Sequence, residues 1–419
     1  MAVRPSSAIN LPEFHRKRRR RGATLCRPGG SVSSRAPIEI RAIAHRSEAT
    51  IDGSTKRGSP GGVDESSRAA AILSRIKALP PDILVLTLAC VAFVGIAGLI
   101  SRAIGAPFVM PRGESPALGT NFSVPLVAAV VGYAVLQIGA RATTARRPEG
   151  EPWSRRALID LYLLALFTLV IYVHFHIKMW IPLINSRNFD ATFFAIDNRF
   201  RFVIEGLRGV RSAIAVAIPA PDIWYEAAFF SMFSLAFWFH AASRRRWHYH
   251  NIVAITLLEM VGPFLYLVTP SVGPFLFEHG DNARATAVQQ RMYDEFHALR
   301  DGGAGWLEQH GGEYFTAPLA AMPSLHFAVT FVLAYYAVRA RLVIAPIVVL
   351  AVSWIAIESI VSRWHYLVDL PAGLLLAMAV IALTNRLCRF RLATDPAGTV
   401  SDAAASGAWV LAPAERRRR

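Results

Sequence analysis

Cysteine is scarce in this 419-residue chain: Cys26, Cys90 and Cys388 show no metal-ligand spacing and offer no disulfide framework. The first 30 residues lack the short basic region, apolar run and cleavage site of a secretory signal. The first apolar segment is therefore expected to act as an uncleaved insertion signal. No internal repeat is visible, and nothing resembles the paired, midplane-interrupted half-helices of many transporters. What the chain has instead is apolarity in long blocks. At 53% hydrophobic residues and a mean hydropathy of +0.36 it is too apolar for an ordinary soluble protein of its length. Apolar segments of spanning size lie roughly at 82–100, 122–140, 158–177, 223–241, 251–268, 326–338, 342–361 and 366–387. The pattern predicts an all-α, polytopic membrane helix bundle of about eight transmembrane helices. The sixth segment is short and is expected to extend back through Met322.

The formal charge of +16 and the run HRKRRRR at His15–Arg21 raise the question of nucleic acid. The distribution of the charge argues otherwise. Basic residues gather between alternate apolar segments: Arg141, Arg146, Arg147, Arg155 and Arg156, then Arg244 to Arg246, then Arg339 and Arg341, then Arg386, Arg389 and Arg391. This is the positive-inside signature of cytoplasmic turns. With eight spans both termini are cytoplasmic, and the Arg-rich head lies against the anionic inner leaflet rather than on nucleic acid.

Residues 1–75 read as a disordered Arg-rich cytoplasmic tail, with a short surface helix over Arg68–Leu79 leading to the first span. Between the third and fourth spans, Arg199, Arg201, Arg208 and Arg211 interleave with Phe, Ile and Leu, as in an amphipathic helix lying in the outer interface. If 202–220 spanned instead, every later orientation would invert. The loop 269–322 carries seven acidic and three basic residues and contains a helical stretch from Asn282 to Arg300. Loops of this length are often lids or binding elements.

Two histidines stand at the starts of two apolar segments: His326 in AMPSLHFAVTF and His365 in SRWHYLVDL, 39 residues later. One pass down and one pass back separates them, so both imidazoles are expected at the same outer face. Asp369 follows His365 by four residues, placing carboxylate and imidazole on one helical face. Such a carboxylate holds one ring nitrogen as a donor and leaves the other free to attack. The chemistry that fits is phosphoryl transfer, with His365 as nucleophile and His326 donating a proton to the departing oxygen and then activating the acceptor. Arg363 offers a guanidinium fork for phosphate oxygens. Ser324 offers a hydroxyl, or simply an N-cap, and Pro323 suits the first turn of a helix whose free N–H groups face an anion. Phosphate-centred chemistry of this kind needs no metal and no cofactor. His174 and His176 point about 200° apart on a helix and do not form a second metal-ligand set.

AMPSLH followed by HYLVD resembles the type 2 phosphatidic acid phosphatase (PAP2) superfamily, and in particular the branch containing inositol phosphorylceramide synthases and their bacterial relatives. NFDATFFAIDNRF at Asn188–Phe200 and YLVTPSVGPF at Tyr266–Phe275 resemble that branch as well. The resemblance implies a six-helix PAP2-like catalytic core over 157–390, with its active site on the periplasmic face of a bacterial inner membrane. Two accessory helices and a cytoplasmic loop over 76–156 and a cytoplasmic tail over 391–419 lie outside it. It assigns the nucleophile, its orienting acid and the proton-transfer histidine to His365, Asp369 and His326. Two motifs depart from the classical lipid phosphatases. Their Ser-Arg before the second histidine is here Glu358-Ser359, and the Lys motif at Lys178 lacks its Arg-Pro. Lys178 and Arg187 are then the remaining candidates for holding phosphate. The departures favour a synthase-like phosphotransferase, taking a lipid donor and an alcohol or lipid acceptor. A lipid or polyprenyl-phosphate phosphatase is the alternative, and a scaffold or transporter a further one.

Overall fold

The computed structural model describes residues 81–113, 123–143, 153–218, 221–243 and 245–388. The basic head, the Arg68–Leu79 segment, Cys26, Arg146, Arg147, Arg244 and the C-terminal tail lie outside the described residues. Among the described residues there are eleven α-helices and no strand. They are α1 (Pro81–Ile104), α2 (Ser123–Thr143), α3 (Trp153–Ile184), α4 (Asp190–Arg199), α5 (Arg201–Ala217) and α6 (Pro221–Ser243). After these come α7 (Arg245–Val268), α8 (Ala283–Tyr314), α9 (Leu325–Arg339), α10 (Ala345–Val361) and α11 (Asp369–Leu387). A 3₁₀ turn, Pro274–Leu276, lies between α7 and α8.

Each of the eight apolar segments is helical over most of its described residues. Among the described residues, four helices are long and apolar enough to cross a membrane: α1, Ser154–Ile184 of α3, Arg246–Val268 of α7, and α11. The apolar stretches Leu126–Gly139, Leu325–Arg339 and Ala345–Val361 are shorter. The 15 residues of α9 rise only about 22 Å. The expected extension of this helix through Met322 is not made, because Ser324 ends it: its hydroxyl accepts the Phe327 N–H and sets Leu325 as the first helical residue. Residues 201–217 form the separate helix α5, whose Arg201, Glu205, Arg208 and Arg211 gather on one side of the helix and leave the other apolar, and it is not among the spanning candidates.

Two apolar cores meet along α7. One gathers buried residues of α1, α3, α7 and α8, such as Leu86, Leu163, Ile177, Val253 and Leu299. The other joins α6, α7, α9, α10 and α11 through Leu258, Val332, Leu333, Ile355 and Ala377. The most extensive helix pairing, α3 with α7, carries the bundle between them. Gly373 is required where α11 crosses the start of α9, since a Cβ there would stand 2.5 Å from the Ser324 carbonyl oxygen. The helix expected from Asn282 is capped by Asn282, whose side chain accepts the Ala285 N–H. It continues beyond Arg300 to Tyr314 across a break at Gly303, where φ is +60°.

Candidate active site

The turn between α10 and α11, Ser362–Val368, presents His365. Its Nδ1 lies 2.9 Å from the Ala321 carbonyl oxygen and 3.2 Å from Asp369 Oδ2. Both neighbours can only accept when the carboxylate is ionised, so Nδ1 carries the proton and Nε2 holds the lone pair. Asp369 Oδ2 also accepts the Tyr366 N–H at 2.8 Å, which fixes the carboxylate from the other side. The i,i+4 spacing read from the sequence thus produces a direct contact. It does so although His365 itself precedes the helix that Asp369 begins.

His326 sits in the first turn of α9. Its ring centroid is 6.1 Å from that of His365, and Phe229 supports it edge-on at 4.5 Å. The Ser324 N–H donates to the Asp369 carbonyl at 3.1 Å, tying the two histidine-bearing segments together. Ser324 is fully buried and spends its hydroxyl on the α9 cap.

Both histidines line a cavity of about 320 Å³. Its wall is largely phenylalanine, with Phe167, Phe175, Phe229, Phe230, Phe233 and Phe237 contributing. On α3 the lining runs from Leu164 to Lys178, roughly 20 Å of helix. Lys178 stands over the Tyr266 ring at 5.3 Å, on the same wall as His174 and Glu259. His176 points elsewhere, accepting the Val109 N–H on Nε2 at 2.8 Å.

The other two expected phosphate ligands are placed differently. Arg187 is exposed on the segment after α3 and does not line the cavity. Arg363 is fully buried at φ +59°, a conformation that costs a non-glycine residue on the order of 1 kcal/mol. Its Nη2 donates to Asp197 Oδ2 and its Nε lies beside Glu278 Oε1, both at 2.7 Å. The fork expected to hold phosphate is therefore taken by two carboxylates, and it too is absent from the cavity wall.

These carboxylates belong to a clamp that sequence reasoning missed. Asp190 and Asp197 stand seven residues apart on α4, two helical turns on one face. Asp197 Oδ1 accepts the Leu367 N–H at 2.9 Å while Oδ2 takes Arg363. Asp190 accepts the Tyr366 hydroxyl at 2.7 Å and the N–H groups of Val272 and Gly273 at 2.9 Å. Burial pushes both carboxyls up, while these hydrogen bonds oppose it. The stretch NFDATFFAIDNRF thus grips residues 363–367 on both sides of His365, without touching the histidine.

A second hub fills the position where classical lipid phosphatases carry Ser-Arg. Glu358 receives Arg211 Nε at 3.0 Å, Asn282 Nδ2 at 2.9 Å and the Ser362 hydroxyl at 2.7 Å. It fastens α5 and the start of α8 to the foot of the histidine turn. Among the described residues no three or more His, Cys, Asp or Glu side chains are grouped to hold a metal ion.

No curated protein and no solved structure matches the chain. Residues 191–383, which begin in α4, end in α11 and contain His326, His365 and Asp369, match the model of the PAP2 superfamily.

Proposed function

We propose that this protein is a membrane lipid phosphotransferase of the synthase-like kind. It moves a phosphoryl or phospho-head group from a lipid donor to an alcohol or lipid acceptor through a phosphohistidine. The observation that carries the reading is the carboxylate-held His365 facing His326 at the wall of a long phenylalanine-lined cavity. The superfamily match supports a phosphatase- or phosphotransferase-type lipid function, and the cavity suits a lipid chain better than a small soluble ester.

In this reading His365 Nε2 attacks phosphorus, the P–O bond to the lipid alcohol breaks, and His326 protonates the departing oxygen. Asp369 and the Ala321 carbonyl share the Nδ1–H and stabilise the charge that grows on the imidazole. Lys178 offsets phosphate charge from the α3 wall, and the N–H groups opening α9 add to it. An acceptor hydroxyl then gives its proton to His326 and attacks phosphorus as the P–N bond breaks. Eight spans with the arginine-rich turns in the cytoplasm would put this site on the non-cytoplasmic side.

Mass-spectrometric product analysis of the protein in lipid nanodiscs tests the proposal. The panel is phospholipids and polyprenyl phosphates, with and without inositol, glycerol and ceramide, beside a His365→Ala control. Acceptor-dependent, His365-dependent head-group or phosphoryl transfer is expected. Release of free phosphate or phosphorylated head group alone would make it a hydrolase, and turnover surviving in His365→Ala would remove the nucleophile.

A further inference from the structure

A second histidine–carboxylate pair lines the same cavity, and the reaction just described does not use it. His174 Nδ1 lies 3.0 Å from Glu259 Oε2 and 3.0 Å from the Glu259 carbonyl oxygen. That carbonyl is free because of the sequence. Pro263, four residues on within α7, has no N–H to donate back to it. The pair repeats the hydrogen-bond logic of His365, with one ring N–H shared between a carboxylate and a carbonyl and the lone pair left on Nε2. His174 and Glu259 are both more than nine-tenths buried, and both line the cavity with Lys178 one turn along α3 from His174.

The chemistry of the pair restricts what it can receive. A phosphate oxygen brings only lone pairs to a lone pair on Nε2 and to a neighbouring carboxylate, so the pair repels it. A hydroxyl donates to either. In a double displacement on one histidine both alcohols use the same face of phosphorus, so His326 serves both proton transfers and the second pair is left for recognition. We propose, resting on the phosphotransferase reading, that His174 and Glu259 form a subsite for a second hydroxyl of the acceptor. The acceptor class is then a diol or polyol, held by one hydroxyl at His174 while another attacks.

The test is a competition on the full chain in nanodiscs. Phosphatidic acid serves as donor because it carries no head-group hydroxyl, and glycerol and ethanol serve together as acceptors. A parallel arm replaces glycerol with monooleoylglycerol, to separate a free polyol from a lipid diol. The product ratio reports only how the phosphohistidine partitions, whatever fraction of the enzyme is active. Wild type is expected to favour the diol over ethanol by about tenfold, the worth of one hydrogen bond involving a charged pair. The paired variant H174F/E259Q, which removes the ring and the carboxylate together, is expected to bring the ratio near the molar ratio of the alcohols. His174→Asn is the second variant, expected to lower the ratio if the pair does not fold. An unchanged ratio in a variant whose wild type shows the preference overturns the subsite alone. A wild type that transfers to neither alcohol above its molar share against water overturns the phosphotransferase reading and the subsite with it. A variant that changes KM for phosphatidylinositol but not the alcohol ratio assigns the pair to the donor head group, and also overturns the proposal.

Discussion

Asp369→Asn separates charge from geometry at the proposed nucleophile. In the native site one carboxylate oxygen, Oδ2, takes both the His365 Nδ1–H and the Tyr366 N–H, while Oδ1 has no hydrogen-bond partner. An asparagine can place its carbonyl oxygen where Oδ2 stands and its amide at the empty position, so neither hydrogen bond need be lost. The Ala321 carbonyl, 2.9 Å away, continues to hold the ring. What disappears is the negative charge 3.2 Å from a nitrogen whose ring turns cationic as Nε2 attacks. At an effective dielectric of 20 a full charge there is worth about 5 kcal/mol, and half a charge at the transition state about 2.5 kcal/mol. That corresponds to a loss of about a hundredfold in the rate of phosphohistidine formation. The assay is single-turnover release of the lipid alcohol, with thermal unfolding measured in parallel. A rate within threefold of wild type in a folded variant would refute the electrostatic role of this carboxylate.

Removing the proposed proton-transfer histidine, His326→Ala, is expected to slow donors with poor leaving groups most. A series of phosphate esters of graded alcohol pKa should show a steeper dependence in the variant, and parallel slopes would count against the assignment. Asp197→Ala leaves the buried Arg363 with Glu278 as its remaining ion-pair partner, and the loss of the charged hydrogen bond to Asp197 costs about 1.5–3 kcal/mol. Denaturant unfolding should register that loss, with activity falling through the displaced histidine turn. A fully stable Asp197→Ala protein would mean the clamp is dispensable. Gly373→Ala drives a methyl to 2.5 Å from the Ser324 carbonyl and should destabilise the α9–α11 crossing by about 1–3 kcal/mol, read as a lowered Tm.

The helices were legible because each apolar block is long compared with a turn and its periodicity is local. The His365–Asp369 contact was legible for the same reason, as an i,i+4 pair. The clamp was not. Asp190 meets Tyr366 across 176 residues, and Asp197 meets Arg363 across 166, so no local pattern signals either contact. Read alone, Arg363 is an arginine two residues from a nucleophile, and phosphate is the natural partner. Only the fold shows that two carboxylates reach it first. Glu358 illustrates the converse: its place in a departed motif was visible, yet the arginine that meets it comes from α5, 147 residues earlier. Helical spacing shows that His174 and His176 diverge, but the partnership of His174 with Glu259 depends on the α3–α7 pairing, which that spacing alone does not fix.

The central claim is that His365 Nε2 carries the transferred phosphorus. The most direct measurement is peptide mapping after rapid quench at alkaline pH, with a slow-turnover lipid donor and no acceptor. The account expects an acid-labile phosphoryl or phospho-head-group adduct on the peptide containing His365, absent from His365→Ala and retained in His326→Ala. An adduct on any other residue, or turnover with no covalent adduct under those conditions, would contradict it.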